Sequence, residues 1–267
     1  MPPLLLVGCG KMGGAMLAGW LERGLRGAVV VEPNPAAAAP FAGRATVAAA
    51  PADIPADFRP AAVVLAIKPQ EAGATLPGLS RFVGPETVFL SIMAGQTVGG
   101  IRAALGGEAA TVVRAMPNTP AAVRQGFTVA FPGPGVSPAQ RGLADSLLRS
   151  VGEVAWVEEE GLLDPVTAVS GGGPAYVFLL AEVMEAAAVE QGLPRDLARR
   201  MARATVAGSG ALLAASADDA AALRRAVTSP KGTTERALDV LMAPDAWPGL
   251  MSRAIEAATA RSRELAG

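Results

Sequence analysis

The sequence predicts an α/β chain in two parts. A parallel sheet with helices on both faces is expected over residues 1–161, and an all-helical part over residues 162–267. Three observations carry this. Short β-branched runs alternate with helical stretches through the first part. A glycine-rich turn joins the first of those runs to the first helix. After Trp156-Val157 the strand signal fades and long helical stretches take over. A chain of 267 residues suits one large domain or two modest ones, and either can bury a sizeable core.

Taken in order, Leu4-Leu5-Leu6-Val7 is a buried strand by its unbroken apolar run. Lys11 to Arg23 follows as a helix with Gly24 as its stop. Val29-Val30-Val31 is the next strand. Further strands are expected from Ala62 to Ile67, ended by Lys68-Pro69, from Thr87 to Ile92 and from Thr111 to Met116. Such runs separated by helices are βαβ units. In the second part, Tyr176 to Gln191 is helical, with Pro174 in its first turn and Gly192 at its stop. Pro194 opens a helix towards Ala215, Asp218 is placed to cap another, and Thr234 to Met242 and Gly249 to Leu265 complete the set. The boundary between the parts falls near Gly161. From Ala168 to Val189 the only charged residues are Glu182 and Glu185. A helix apolar nearly all round must be covered, and roughly a hundred residues have trouble covering it alone. A homodimer with interleaved helices, or a larger assembly built from dimers, is expected; a self-contained bundle is the alternative.

Composition narrows the chemistry. The chain has no histidine. That removes Ser-His-Asp triads, Cys-His pairs and histidine-ligated zinc, so no metal site is expected. A formal net charge of −1 offers no basic field for nucleic acid. Cys9 is the single cysteine, so no intrachain disulfide can form, which fits a reducing cytoplasm. The first twenty residues lack a charged leader and a small-residue cleavage site, so no signal peptide is read. No uncharged apolar run reaches membrane-spanning length, and no membrane association is expected.

Five motifs carry chemistry. Gly8-Cys9-Gly10-Lys11-Met12-Gly13 follows a strand and opens a helix. Gly8 permits the tight turn, Gly10 lets a pyrophosphate approach the backbone, and Gly13 lets the helix pack on the sheet. Free N–H groups at the helix start favour the anion. This is a dinucleotide-binding fingerprint, and it makes the sheet Rossmann-type. About twenty residues on, the second strand ends at Glu32, followed by Pro33-Asn34-Pro35. An acid there usually bonds ribose hydroxyls and disfavours a 2′-phosphate. Asn34 is the other candidate for that part of the cofactor, and a solvated strand-end carboxylate is the bland reading of Glu32. Ala66-Ile67-Lys68-Pro69-Gln70 ends another strand, where cofactors lie in open α/β sheets; Lys68 either faces the cofactor or is a surface lysine. Arg114-Ala115-Met116-Pro117-Asn118-Thr119-Pro120 gives a rigid polar loop after a strand. Val227-Thr228-Ser229-Pro230-Lys231-Gly232-Thr233-Thr234 precedes a helix. Thr233 or Thr234 can cap that helix, and its free N–H groups can hold a carboxylate.

GCGKMG, AIKPQ, SIMAGQT, RAMPNTPA, VSGGGPAYVF and VTSPKGTTERAL stand in the order found in pyrroline-5-carboxylate reductases, and the chain resembles that family over essentially its whole length. The resemblance implies a Rossmann domain followed by a helical dimerisation domain, with sites between subunits. It implies NADPH or NADH as cofactor, 1-pyrroline-5-carboxylate as substrate and L-proline as product. By position, Gly8, Cys9, Gly10, Lys11 and Met12 would line the pyrophosphate, and Asn34 the adenosine ribose or its phosphate. Ala66, Lys68, Pro69 and Ala94 would lie along the cofactor. Val227, Ser229, Gly232 and Thr233 would surround the substrate, with Thr234 as the catalytic threonine at the ring nitrogen. The chain departs from the family around this loop. Lys231 stands where glycine is usual, Asp219-Ala220 where a His-Pro pair is common, and Arg225 and Ala217 where acids are found. A β-hydroxyacid dehydrogenase would carry a lysine on the helix after Ser170-Gly171-Gly172-Gly173, and this helix has none. Another imine reductase, or a dinucleotide-binding dimer without catalysis, are the remaining alternatives.

Overall fold

The computed structural model describes residues 1–266. Its first part runs β1 (Leu4–Val7), α1 (Lys11–Glu22), β2 (Ala28–Val31), α2 (Pro35–Ala38), β3 (Thr46–Ala48), β4 (Ala62–Leu65), α3 (Ala72–Thr75), β5 (Val88–Ser91), α4 (Val98–Ala104), β6 (Thr111–Met116), β7 (Gly126–Pro132), α5 (Pro138–Leu148) and β8 (Gly152–Trp156). These strands form one eight-stranded sheet in the order β3-β2-β1-β4-β5-β6-β7-β8. The continuous apolar runs follow from burial on both faces. In β1, Leu4 and Leu6 pack with Met16, Leu17 and Trp20 of α1. Leu5 and Val7 point the other way, into a second core with Leu76, Leu79 and Ile101. This is the period of two expected of a strand.

The sheet is not parallel throughout, as the sequence predicts, but mixed. β7 pairs antiparallel with β6, and β8 runs parallel to β7. The reason is the connection. Only a short 3-10 turn, Thr119–Val123, lies between β6 and β7, and a parallel return needs a crossover of a dozen residues or more.

The chain divides into two compact units, residues 1–171 with 258–267, and residues 172–257. Helical structure continues from α6 (Leu163–Val166) through a π-helical turn (Thr167–Gly171) into α7 (Gly173–Glu190), then α8 (Arg195–Ala215), α9 (Ala220–Ala226), α10 (Thr233–Leu241) and α11 (Trp247–Ala266). Gly192, at φ +92°, ends α7 as expected, and Pro194 is the N-cap of α8. The cap of α9 is Asp219 rather than Asp218: its Oδ1 accepts the Ala222 N–H at 2.7 Å, while the Asp218 N–H is itself spent on Ser216 Oγ at 3.1 Å.

The helical unit leaves Val177, Phe178, Leu179 and Val183 of α7 exposed. Val177, Leu179 and Val183 line an apolar groove closed on its other side by Trp247, Leu250 and Met251 of α11. Among the described residues one helical run, Glu160–Glu190, is long and apolar enough by length and composition alone to cross a bilayer. That run carries Asp164, Glu182 and Glu185, so it is not the uncharged stretch that the sequence expectation concerned.

Candidate active site

The glycine loop lies where β1 and β4 part, the position at which doubly wound sheets take up their ligands. Gly8 holds φ +93°, and a Cβ there would stand 2.6 Å from the Ala66 carbonyl oxygen. A Cβ on Gly13 would collide with the Gly8 carbonyl oxygen. These two glycines close the turn against the neighbouring strand end. Gly10 differs: a Cβ there would meet nothing within 4 Å. It is the N-cap of α1, with no side-chain cap bond, so a side chain on Gly10 would enter the open space at the helix start. That is the cradle a pyrophosphate needs, and the loop fits a dinucleotide. Lys11 is exposed and Met12 half-buried. Cys9 turns into the core, where burial and then the Glu32 charge push its thiol up to about 11, so it stays neutral.

Glu32 is not a free strand-end carboxylate. Its Oε2 accepts the Cys9 N–H at 2.7 Å and its Oε1 the Asn34 N–H at 2.9 Å. The acid therefore straps the glycine loop to the end of β2. Asn34 Oδ1 accepts the Ala36 N–H at 3.1 Å and caps α2.

Along the same edge, Ala66 and Pro69 are half-buried, and Lys68 and Ala94 are exposed. The exposure of Lys68 is compatible with both readings of it. The polar loop after β6 is braced as its two prolines suggested. Asn118 Oδ1 accepts the Phe127 N–H at 2.9 Å, and its Nδ2 donates to Ser170 Oγ at 3.2 Å. Arg114, on β6, pairs with Glu160 at 3.0 Å. Three polar residues in this region were not singled out from the sequence: Glu160, Asp164 and Ser262. Glu160 closes a run of three glutamates and Ser262 lies between two arginines, so nothing local distinguishes them from solvated residues, and the partners of these three lie 46 to 98 positions away.

The substrate-loop candidates lie in the helical unit. Val227, Ser229, Thr233 and Thr234 are exposed and Gly232 is half-buried. The Gly232 N–H donates to the Ser229 carbonyl at 3.0 Å, and the Lys231 N–H to Glu235 Oε2 at 2.8 Å. The expected threonine cap is corrected here. Gly232 is the N-cap of α10, with no side-chain cap bond, and Thr233 is the first helical residue. Among the described residues no hydrogen bond engages the Thr234 hydroxyl. Thr234 and Ser229 thus flank an uncapped helix start, whose N–H groups and dipole favour a carboxylate.

Residues 160–265 match a family model described as pyrroline-5-carboxylate reductase dimerisation, and residues 4–95 one described as NADP oxidoreductase, coenzyme F420-dependent. A pyrroline-5-carboxylate reductase of Pseudomonas aeruginosa is 38% identical over 99% of this chain and 97% of its own length. One from Escherichia coli is 35% identical over 88% of each. The structure of a pyrroline-5-carboxylate reductase from Coxiella burnetii superposes with a TM-score of 0.90 at 31% identity, covering 100% of this chain and 99% of that one. A Plasmodium falciparum pyrroline carboxylate reductase solved with NADP bound shares the fold, with a TM-score of 0.84 at 24% identity, covering 100% of this chain and 98% of that one. With relatives above 30% identity over 88 to 99% of its length, this chain belongs to the pyrroline-5-carboxylate reductase family.

Proposed function

We propose that the chain reduces 1-pyrroline-5-carboxylate to L-proline with NADPH or NADH. The observation that carries the reading is the uncapped start of α10, with the Thr234 hydroxyl unengaged beside it, on a chain that matches reductases of this substrate from end to end. When bound, the reduced nicotinamide supplies a hydride for the imine carbon. The residues of the chain bind and orient. The glycine cradle from Gly8 to Met12 takes the pyrophosphate, Asn34 and Glu32 the adenosine ribose, and Ala66, Lys68, Pro69 and Ala94 line the edge beyond. The α10 N–H groups and Ser229, with Val227, Gly232 and Thr233 around them, hold the substrate carboxylate. Thr234 orients the ring nitrogen. A protonated imine is the better electrophile and brings its own proton, so a chain without histidine needs no strong acid at this point.

A carboxylate fixed at the end of β2 disfavours a 2′-phosphate, so NADH serves at least comparably to NADPH. The dimerisation segment and the exposed apolar face of α7 support a homodimer or a multiple of it. The lone cysteine supports a cytoplasmic setting. The test is oxidation of NADH and NADPH by the purified chain in the presence of 1-pyrroline-5-carboxylate. Turnover with proline as product is expected; cofactor binding without turnover would sink the catalytic reading.

A further inference from the structure

The turn over residues 94–98, between β5 and α4, is held at both ends by distant parts of the chain. At one end the Val98 N–H donates to Glu160 Oε1 at 2.8 Å, the same oxygen that buried Arg114 engages. One helical turn after Glu160, the buried Asp164 accepts the Ser262 hydroxyl at 2.7 Å. Nearly a turn beyond Ser262, Leu265 comes to rest on Gly95. A Cβ on Gly95 would stand 3.1 Å from the Leu265 carbonyl oxygen and 3.2 Å from its Cβ. Gly95 also holds φ +71°, which a side chain would strain. The contacts close a ring through Gly95, Leu265, Ser262, Asp164, Glu160 and Val98. All of these residues belong to the first compact unit.

We infer that the last turns of α11 form a clamp that positions the 94–98 turn, with Ser262 and Asp164 as its positioning residues. The inference rests on the reading of Ala94 as a cofactor residue. The physical reason is population. A turn released at one end samples conformations that do not bind, and apparent affinity falls by the fraction that remains competent. The Ser262 hydroxyl is what fastens the clamp, because without it the buried Asp164 carboxylate loses its donor on α11.

The experiment titrates NADH and NADPH into the full chain carrying Ser262→Ala, beside Asp164→Asn, which keeps an oxygen to accept the serine hydroxyl. Ser262→Ala removes one oxygen and leaves the helix intact. The expected result is a cofactor Kd raised roughly three- to tenfold in Ser262→Ala and close to the parent value in Asp164→Asn. The KM for 1-pyrroline-5-carboxylate at saturating cofactor should stay unchanged in both. A parental cofactor Kd in Ser262→Ala overturns the clamp, whatever the melting temperature does. So does an equal loss in Asp164→Asn, which would trace the effect to the buried charge. Gly10→Val separates the underlying reading. It should weaken cofactor at least about tenfold, and if it does not while Ser262→Ala does, the glycine cradle is wrong and the clamp stands.

Discussion

Lys231 holds φ +60°, a left-handed conformation that costs a residue with a side chain about 1–2 kcal/mol. It occupies the position where the family usually has glycine, so the loop geometry persists and this chain carries the strain. Lys231→Gly should therefore raise stability, by about 0.5–1 kcal/mol after the extra freedom of the unfolded glycine is counted. A thermal melt checks this, and an unchanged or lower midpoint would show the strain relieved elsewhere. Three residues on, Thr234 is the sharper case. If its hydroxyl bonds the ring nitrogen, Thr234→Ala should lower kcat roughly ten- to hundredfold, about 1.4–2.7 kcal/mol. Thr234→Ser should keep most of the activity, and Ser229→Ala should act mainly on KM. Because α10 is capped by Gly232 and not by a threonine, Thr234→Ala should leave the melting temperature close to the parent. A variant that melts lower yet turns over at the parent rate would refute the catalytic role. At this scale the sequence was informative wherever chemistry is local, as in the Gly8-to-Gly13 turn. It was silent on Glu160, Asp164 and Ser262, whose roles exist only through partners far along the chain.

The strand-and-turn elements show the same division. β1, β2, β4, β5 and β6 were readable because burial on both faces demands unbroken apolar runs. β7 and β8 were not singled out. Both begin at glycine, β7 ends at Pro132, and their pairing depends on a short connection whose direction local pattern does not reveal. The end of β2 mixes both situations. An acid was expected at Glu32, but its bond to the Cys9 N–H spans 23 positions and has no local signature. That bond gives Glu32→Ser two effects. Removing the carboxylate should raise the NADPH-to-NADH ratio of kcat/KM, and loosening the strap should weaken both cofactors. Steady-state kinetics with each cofactor separates them. A parent enzyme with strong NADPH preference that Glu32→Ser leaves unaltered would show that Glu32 does not govern cofactor choice.

At the scale of the molecule, the helical unit leaves Val177, Phe178, Leu179 and Val183 of α7 exposed, an apolar face of the kind a partner subunit covers. Light scattering at micromolar concentration should therefore return a dimer or a multiple of it, and a well-folded monomer would refute that assembly. The first part's helix-and-strand pattern and the apolar character of α7 were visible in the sequence. The return of residues 258–267 to the first unit was not, because nothing local in α11 marks where its allegiance changes. That return sets an order of events during synthesis. Ser262 leaves the ribosome 98 positions after Asp164, a delay of roughly 5–20 s at ~5–20 residues per second. The last strand of the sheet has emerged before that interval begins, yet the turn beside Ala94 lacks its α11 fastening until Ser262 and Leu265 emerge. A ribosome stalled in the helical part before Ser262 would thus carry a sheet whose cofactor edge lacks this fastening, and on the clamp inference full cofactor affinity would arrive only once Ser262 and Leu265 have emerged.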